Sequence, residues 1–346
     1  MKNSFVVIAA PSLVLITALI ILLFSISLNR SEIQISIHPA AHYPRWLEAN
    51  NYNPTQTSGI TLLFEDAGKK IFLLADDIGK IHRFVIKNDT IFNFSEIRFS
   101  NELNNYLAEF PKKDFEEIFY DKYTDEVYLT IEGNGKAHLR FHGIYKMKFL
   151  NDDVQRDTIT SLEKIHFVPE AEFFKNLLPN IGYEGFTADE NYFYLGLENI
   201  QSNDGEFSNK TAIRIADKKS LKIIKEISTD SLNISTICGL YSDKNYSLWG
   251  IDRNHRKVFK LKLDEYFNIV DLDFFEIITV VPGYKGLEYT GSLESITITS
   301  EKFLFMVDDP WYAFFIPPGD ILAKLDSNTV NNFKNFIPII YKFIIE

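Results

Sequence analysis

The chain has 346 residues, 46% of them hydrophobic, with 30 Phe and 17 Tyr, which is enough for a large core and favours strands over helices. Its net charge of −11 argues against nonspecific nucleic-acid binding, which needs a basic surface, and suits attraction of cations. The single cysteine, Cys238, excludes an intrachain disulfide, and its apolar setting STICGLYS reads as a buried structural thiol.

The stretch from Phe5 to Leu28 carries no charge. It is long enough to span the hydrocarbon core of a bilayer as a helix. Lys2 precedes it, and Arg30 and Glu32 follow. This pattern predicts a transmembrane helix within residues 1–29 that anchors an extracytoplasmic domain at the periplasmic or outer cell surface. Cleavage after Ser27 would instead give a secreted protein. Residues 30–57 contain Pro39, Pro44 and Pro54 and read as a linker, with one candidate strand from Ile33 to Ile37.

Residues 58–346 read as one domain of repeated strands. In the first unit GITLLFED, IFLLADD, IHRFVIK and TIFNFSEIRF are separated by short polar turns. The second unit reads FEEIFYD, EVYLTIE, HLRFHGIYKMKFL and SLEKIHFV. EGFTAD, YFYLGLE, TAIRIAD and LKIIKEIS form the third; CGLYSD, YSLWGID, KVFKLKL and FFEIITVV the fourth. ESITIT, KFLFMVD, DILAKLD and FIPIIYKFII complete the fifth. NELNNYLAEF and EAEFFKNLL each predict a short helix between units.

In every unit the second strand ends on an acid: Asp76, Glu132, Glu198, Asp252 and Asp308. The intervals are 56, 66, 54 and 56 residues. A β-rich repeat of this length predicts an all-β fold, a β-propeller with five four-stranded blades, six being the alternative. A propeller closes when its last blade borrows a strand from the other terminus, and Ile33 to Ile37 is the candidate.

Antiparallel pairing places the first residues of the inner strands beside those acids. These residues are Ser58, Glu116, Glu184, Cys238 and Glu294. Up to eight carboxylates (Asp76, Glu116, Glu132, Glu184, Glu198, Asp252, Glu294 and Asp308) therefore converge at one mouth of the central channel. Carboxylates so placed must share protons or bind a cation. Oxygen ligands without His or Cys favour Ca2+, with Mg2+ second. The same acids could instead cap turns. Arg253, His255, His82 and Arg140 follow the acids and are candidate contacts to a phosphate ester. No nucleophile elbow, Walker loop, zinc-protease helix or dinucleotide fingerprint occurs.

DFEEIFYDKYTDEVYLTIEG, GYEGFTADENYFYLGLEN and LESITITSEKFLFMVDDP resemble repeats of the propeller family named for esterase-like activity of phytase, and are similar to SdiA-regulated propellers. The resemblance covers most of residues 58–320. It implies Glu116, Glu184 and Glu294 as motif glutamates and Glu132, Glu198 and Asp308 as strand-end acids. The chain departs from the motif at Glu117, where glycine is expected, at Cys238 and at Ser58. Two functions follow as expectations. One is a membrane-anchored binding or scaffold module, with Ca2+ at its mouth and a protein partner. The other is a metal-assisted hydrolase of phosphate or carboxylic esters, with Glu184 and Glu294 as its catalytic groups.

Overall fold

The computed structural model describes residues 35–49, 52–66, 68–202, 204–244, 246–311 and 315–346. The apolar segment Phe5 to Leu28, with Ile33 and Gln34, lies outside the described residues. Among the described residues no helix is long and apolar enough to cross a membrane.

Two short strands come first, β1 (Ile37–Pro39) and β2 (Arg45–Trp46). The first sheet is β3 (Thr57–Asp66), β4 (Lys69–Asp76), β5 (Lys80–Lys87) and β6 (Thr90–Phe99). Helix α1 (Asn101–Leu107) leads to β7 (Asp114–Asp121) and β8 (Glu126–Glu132). Helix α2 (His138–Phe141), β9 (Gly143–Phe149) and β10 (Thr158–Lys164) complete the second sheet. After α3 (Glu170–Phe174), the third sheet is β11 (Tyr183–Ala188), β12 (Tyr192–Leu197), β13 (Ala212–Asp217) and β14 (Ile223–Ser228). The fourth is β15 (Gly239–Asp243), β16 (Ser247–Asp252), β17 (Lys257–Leu263) and β18 (Ile269–Glu276). Last come β19 (Leu293–Ile298), β20 (Phe303–Asp308), α4 (Gly319–Leu322), α5 (Ser327–Lys334) and β21 (Ile339–Ile345).

Within each sheet, neighbouring strands pair antiparallel in chain order. The turn Asn88-Asp89 joins β5 to β6 with both residues at positive φ, the backbone a tight two-residue hairpin requires. The fifth sheet closes with chain from the amino-terminal side. β1 pairs with β21, Ile37 opposite Ile345 and Pro39 opposite Phe343, and β2 pairs with the start of β21. Among the described residues this closing strand overlaps the expected Ile33 to Ile37 segment at Ile37. Pro39 lacks an N–H and is tolerated because β1 is an edge strand.

The innermost strands pack in a closed cycle: β3 on β7, β7 on β11, β11 on β15, β15 on β19 and β19 on β3. Five antiparallel units of strands thus form a propeller-like ring among the described residues. The first two are joined at their outer edges by a short parallel pairing of β6 with β10, Thr158 opposite Arg98, and β2 adds a fifth strand to the last. The core lies between sheets. Leu73, Phe115, Ile118 and Leu129 are buried between the first two, and Phe72, Phe84, Phe305 and Ile340 between the first and the fifth.

An innermost strand has one edge without a sheet partner, so its N–H groups need other acceptors. Hydroxyls of the neighbouring sheet supply them. Thr61 Oγ1 accepts from Tyr120 N at 3.1 Å, Thr187 Oγ1 from Ser242 N at 3.0 Å and Ser295 Oγ from Ile60 N at 3.0 Å. Such close approach demands small residues. A Cβ on Gly59 would stand 2.5 Å from Glu116 O and Ile118 N.

One expected strand is helical at its start and another contains a short helix instead. HLRF begins as α2, and only from Gly143 does the chain become strand. DILAKLD holds α4, since Pro317 and Pro318 suit the start of a helix better than a central strand. Both expected interblade helices form, as α1 and α3.

Candidate functional site

The inner-strand starts differ from ordinary strand residues in one respect. Tyr183 pairs with Leu197 but Gly185 pairs with Gly196, which leaves Glu184 as an extra residue. Glu294 is extra between Leu293 and Ser295, and Ser58 between Thr57 and Gly59. Between Phe115 and Ile118, Glu116 and Glu117 share a similar shift. Each is a β-bulge, which breaks the strict alternation of the strand and re-aims a side chain. The bulges turn Glu116, Glu184 and Glu294 toward the end of the ring where the second strands finish.

There they meet other carboxylates. Oxygens of Glu132, Glu184 and Glu198 lie within 4.8 Å of one another, as do those of Asp77, Asp114 and Glu116. Glu184 also groups with Cys238 and Glu294. Arg253, from the turn after β16, faces this set. Its Nη2 lies 3.0 Å from Glu198 Oε1 and 3.8 Å from Glu184 Oε2, and its Nη1 donates to Glu294 Oε2. On the other side Lys112 pairs with Asp114, and Ser58 donates to Asp77. Asp309 adds an eighth carboxylate, close enough to Asp77, Glu294 and Arg253 to feel their charges.

Eight acids against two bases is an unstable balance for ionised groups out of water. Burial, then repulsion from neighbouring carboxylates, raises the carboxyl groups of Glu116, Glu132 and Glu184 well above the usual range. Burial raises Glu198 too, with Arg253 pulling it back. Asp77 is pushed up to about 7 and Asp309 to about 9, chiefly by burial. Burial disfavours the charged form of Arg253, but Cys238 and the carboxylates of Glu294, Glu184 and Glu198 outweigh it.

Glu132 stands out within the set. It is 2% exposed, and among the described residues nothing hydrogen-bonds its Oε1. Glu184 Oε2 likewise lacks a partner within hydrogen-bond distance. Gly182 keeps the space beside Glu132 open: a Cβ there would stand 2.7 Å from Glu132 Oε1. Three oxygens this close can share one hard cation at about 2.3–2.6 Å each.

The five strand-end acids divide by role. Glu132 and Glu198 reach the mouth. Asp76, Asp252 and Asp308 are fully buried and accept hydrogen bonds from their own sheets. Asp76 takes Lys80 N at 2.7 Å and His82 Nε2 at 2.8 Å. Asp252 takes Ser235 N, Ser235 Oγ and His255 Nδ1. Asp308 takes Tyr289 Oη at 2.8 Å and Ile339 N at 3.0 Å. An aspartate is too short to leave the turn it caps, whereas glutamate extends past it. Three of the eight expected ligands are therefore turn and strand caps. Asp77, Asp114 and Asp309 stand in the mouth in their place. The doublets ADD and VDD were the readable signal for two of them.

The candidate substrate contacts also separate. Arg253 is at the mouth. His82 is fully buried between Asp76 and Tyr52, whose hydroxyl lies 2.8 Å from its Nδ1, so burial withdraws it from any ligand. His255 is bound to Asp252 and partly exposed. Arg140 is an exposed side chain paired with Glu109. Cys238 is buried, 3.6 Å from Thr236 Oγ1.

Glu117, where the motif would have glycine, is also fully buried. The corresponding residues of the other sheets are small: Gly59, Gly185, Gly239 and Ser295. Its carboxyl takes the space they leave, accepting from Ser295 Oγ at 2.7 Å and Ile118 N at 3.0 Å.

No family model matches the chain, and no curated protein matches it. Solved structures similar to it include the PQQ-bound aldose sugar dehydrogenase from Streptomyces coelicolor, 10% identical, covering 90% of this chain and 99% of that one, with a TM-score of 0.43. Selenomethionine-substituted virginiamycin B lyase from Staphylococcus aureus is 11% identical over 90% of this chain and 100% of that one, with a TM-score of 0.40. A streptogramin B lyase structure is 10% identical over 88% and 98%, with a TM-score of 0.37. At these values the likeness carries no argument about ligand or reaction, and the propeller-like arrangement rests on the closed cycle of inner strands.

Proposed function

We propose that the protein is a binding module on a five-bladed β-propeller, membrane-anchored through Phe5 to Leu28, whose mouth takes a divalent cation, Ca2+ foremost. The observation that carries this reading is the buried Glu132 Oε1, without a hydrogen-bond partner among the described residues and within 4.8 Å of oxygens of Glu184 and Glu198. Leaving a buried acceptor unmatched costs about 1–3 kcal/mol, and a cation shared with two neighbouring carboxylates removes that cost. All ligands would be oxygen, which suits Ca2+ or Mg2+ over softer metals.

The hydrolytic alternative, with Glu184 or Glu294 as general base, has no comparable observation behind it. Both carboxylates face Arg253. The purified protein is expected to bind cation and to leave a generic phosphomonoester intact.

Melting of the full-length chain with and without millimolar CaCl2 tests the reading. Binding at a hundredfold excess over Kd stabilises by about 2.7 kcal/mol and raises Tm by several degrees. An unchanged Tm in both Ca2+ and Mg2+ would contradict it.

A further inference from the structure

Arg253 faces carboxylates of two sheets besides its own: its Nη2 donates to Glu198 at 3.0 Å and lies 3.8 Å from Glu184 on the third, and its Nη1 donates to Glu294 on the fifth. Two of these residues, Glu184 and Glu198, also supply the oxygens grouped with that of Glu132. The guanidinium therefore stands beside the position where a cation on Glu132, Glu184 and Glu198 would sit. A cation there and the guanidinium draw on the same two carboxylates and repel each other. The Arg253 side chain is 18% exposed, so it is not sealed from solvent.

We propose that Arg253 is a resident counter-cation, that a divalent cation on Glu132, Glu184 and Glu198 displaces its Nη2 edge, and that the released edge then takes a small oxyanion. This rests on the cation-binding reading above and extends it to a second ligand. A planar guanidinium fork matches the paired oxygens of a carboxylate, sulfate or phosphate. Without the cation, the surrounding carboxylates both occupy the fork and repel an anion. With it, two of their charges are neutralised. Cation and oxyanion therefore bind with positive coupling, and by linkage each strengthens the other.

Titration calorimetry of the full-length chain with CaCl2, and with sulfate in saturating Ca2+ or in chelator, tests this. Sulfate affinity is expected to rise at least about tenfold in Ca2+. Arg253→Met is expected to bind Ca2+ at least as tightly as the parent and to lose the Ca2+-dependent sulfate binding. Should that variant not fold, Arg253→Lys keeps the charge but lacks the fork. It is expected to bind Ca2+ like the parent and sulfate at least about tenfold more weakly. Equal sulfate affinity with and without Ca2+ overturns this inference while leaving cation binding standing. So does loss of Ca2+ affinity in a folded Arg253 variant. Absence of any Ca2+ binding by the parent overturns the cation reading itself.

Discussion

Arg253 on the fourth sheet reaches Glu198 on the third, Nη2 to Oε1 at 3.0 Å. The pair ties neighbouring sheets together at the end of the ring where the carboxylates gather. Removing the guanidinium strands Glu184, Glu198 and Glu294 together in a poorly solvated space. Arg253→Met is expected to lower the unfolding free energy by about 3 kcal/mol in chelator. Urea unfolding measures it, and a loss below about 1 kcal/mol would mean the pair behaves like a surface bridge.

Asp76 represents the other kind of strand-end acid. It is fully buried and holds Lys80 N and His82. Asp76→Ala is expected to destabilise by about 2–4 kcal/mol, because a buried backbone donor and a histidine lose their acceptor. Its Ca2+ response should match the parent. If Asp76→Ala abolished the Ca2+ shift while remaining folded, the division of the five acids into caps and ligands would be wrong.

Glu117 fills the axis of the ring with a carboxyl that burial raises well above the usual range, despite hydrogen bonds from Ser295 and Ile118 that act the other way. A neutral amide of the same shape can keep the acceptor. Glu117→Gln is therefore expected to change stability by less than about 1 kcal/mol, and Glu117→Ala to lose about 2–4 kcal/mol through a cavity and unmatched donors. Denaturant midpoints of the two variants decide this; equal losses would show that the charge, not the shape, matters there.

Much of this arrangement could be read from the residues. The acids Asp76, Glu132, Glu198, Asp252 and Asp308 marked five units, and five innermost strands form the ring among the described residues. Inner-strand starts and second-strand ends do adjoin, as period-two strands demand. What could not be read was the local irregularity. A strict alternation cannot say that Glu184 and Glu294 sit on bulges, because a bulge is a pairing shift and not a residue type. Nor does a repeat distinguish an aspartate that caps its own turn from a glutamate one methylene longer. Loops also escaped it. HLRF and DILAKLD carry apolar residues at intervals that suit either a strand or one turn of helix, and tertiary context decided.

Proton release from three aspartates, two at the mouth and one strand cap, gives a pH signature. Asp77, Asp308 and Asp309 are pushed up to about 7, about 8 and about 9, chiefly by burial. In the unfolded chain aspartate titrates near about 3.9. Between those values the folded state holds protons that the unfolded state has released, so stability falls as pH rises. The loss begins above about pH 4 and levels off above about pH 9. In chelator, Tm should decline steadily from about pH 5 to about pH 9. A rising Tm across that window would contradict the assignment of these three groups.

The most direct measurement is the position of a bound ion. Crystals of the protein grown with Ca2+ should show an anomalous difference peak bounded by carboxylate oxygens of Glu132, Glu184 and Glu198, each at about 2.3–2.6 Å. The Arg253 Nη2 edge should have withdrawn from Glu198. A mouth without such a peak at saturating Ca2+, with Arg253 still on Glu198, would contradict the account.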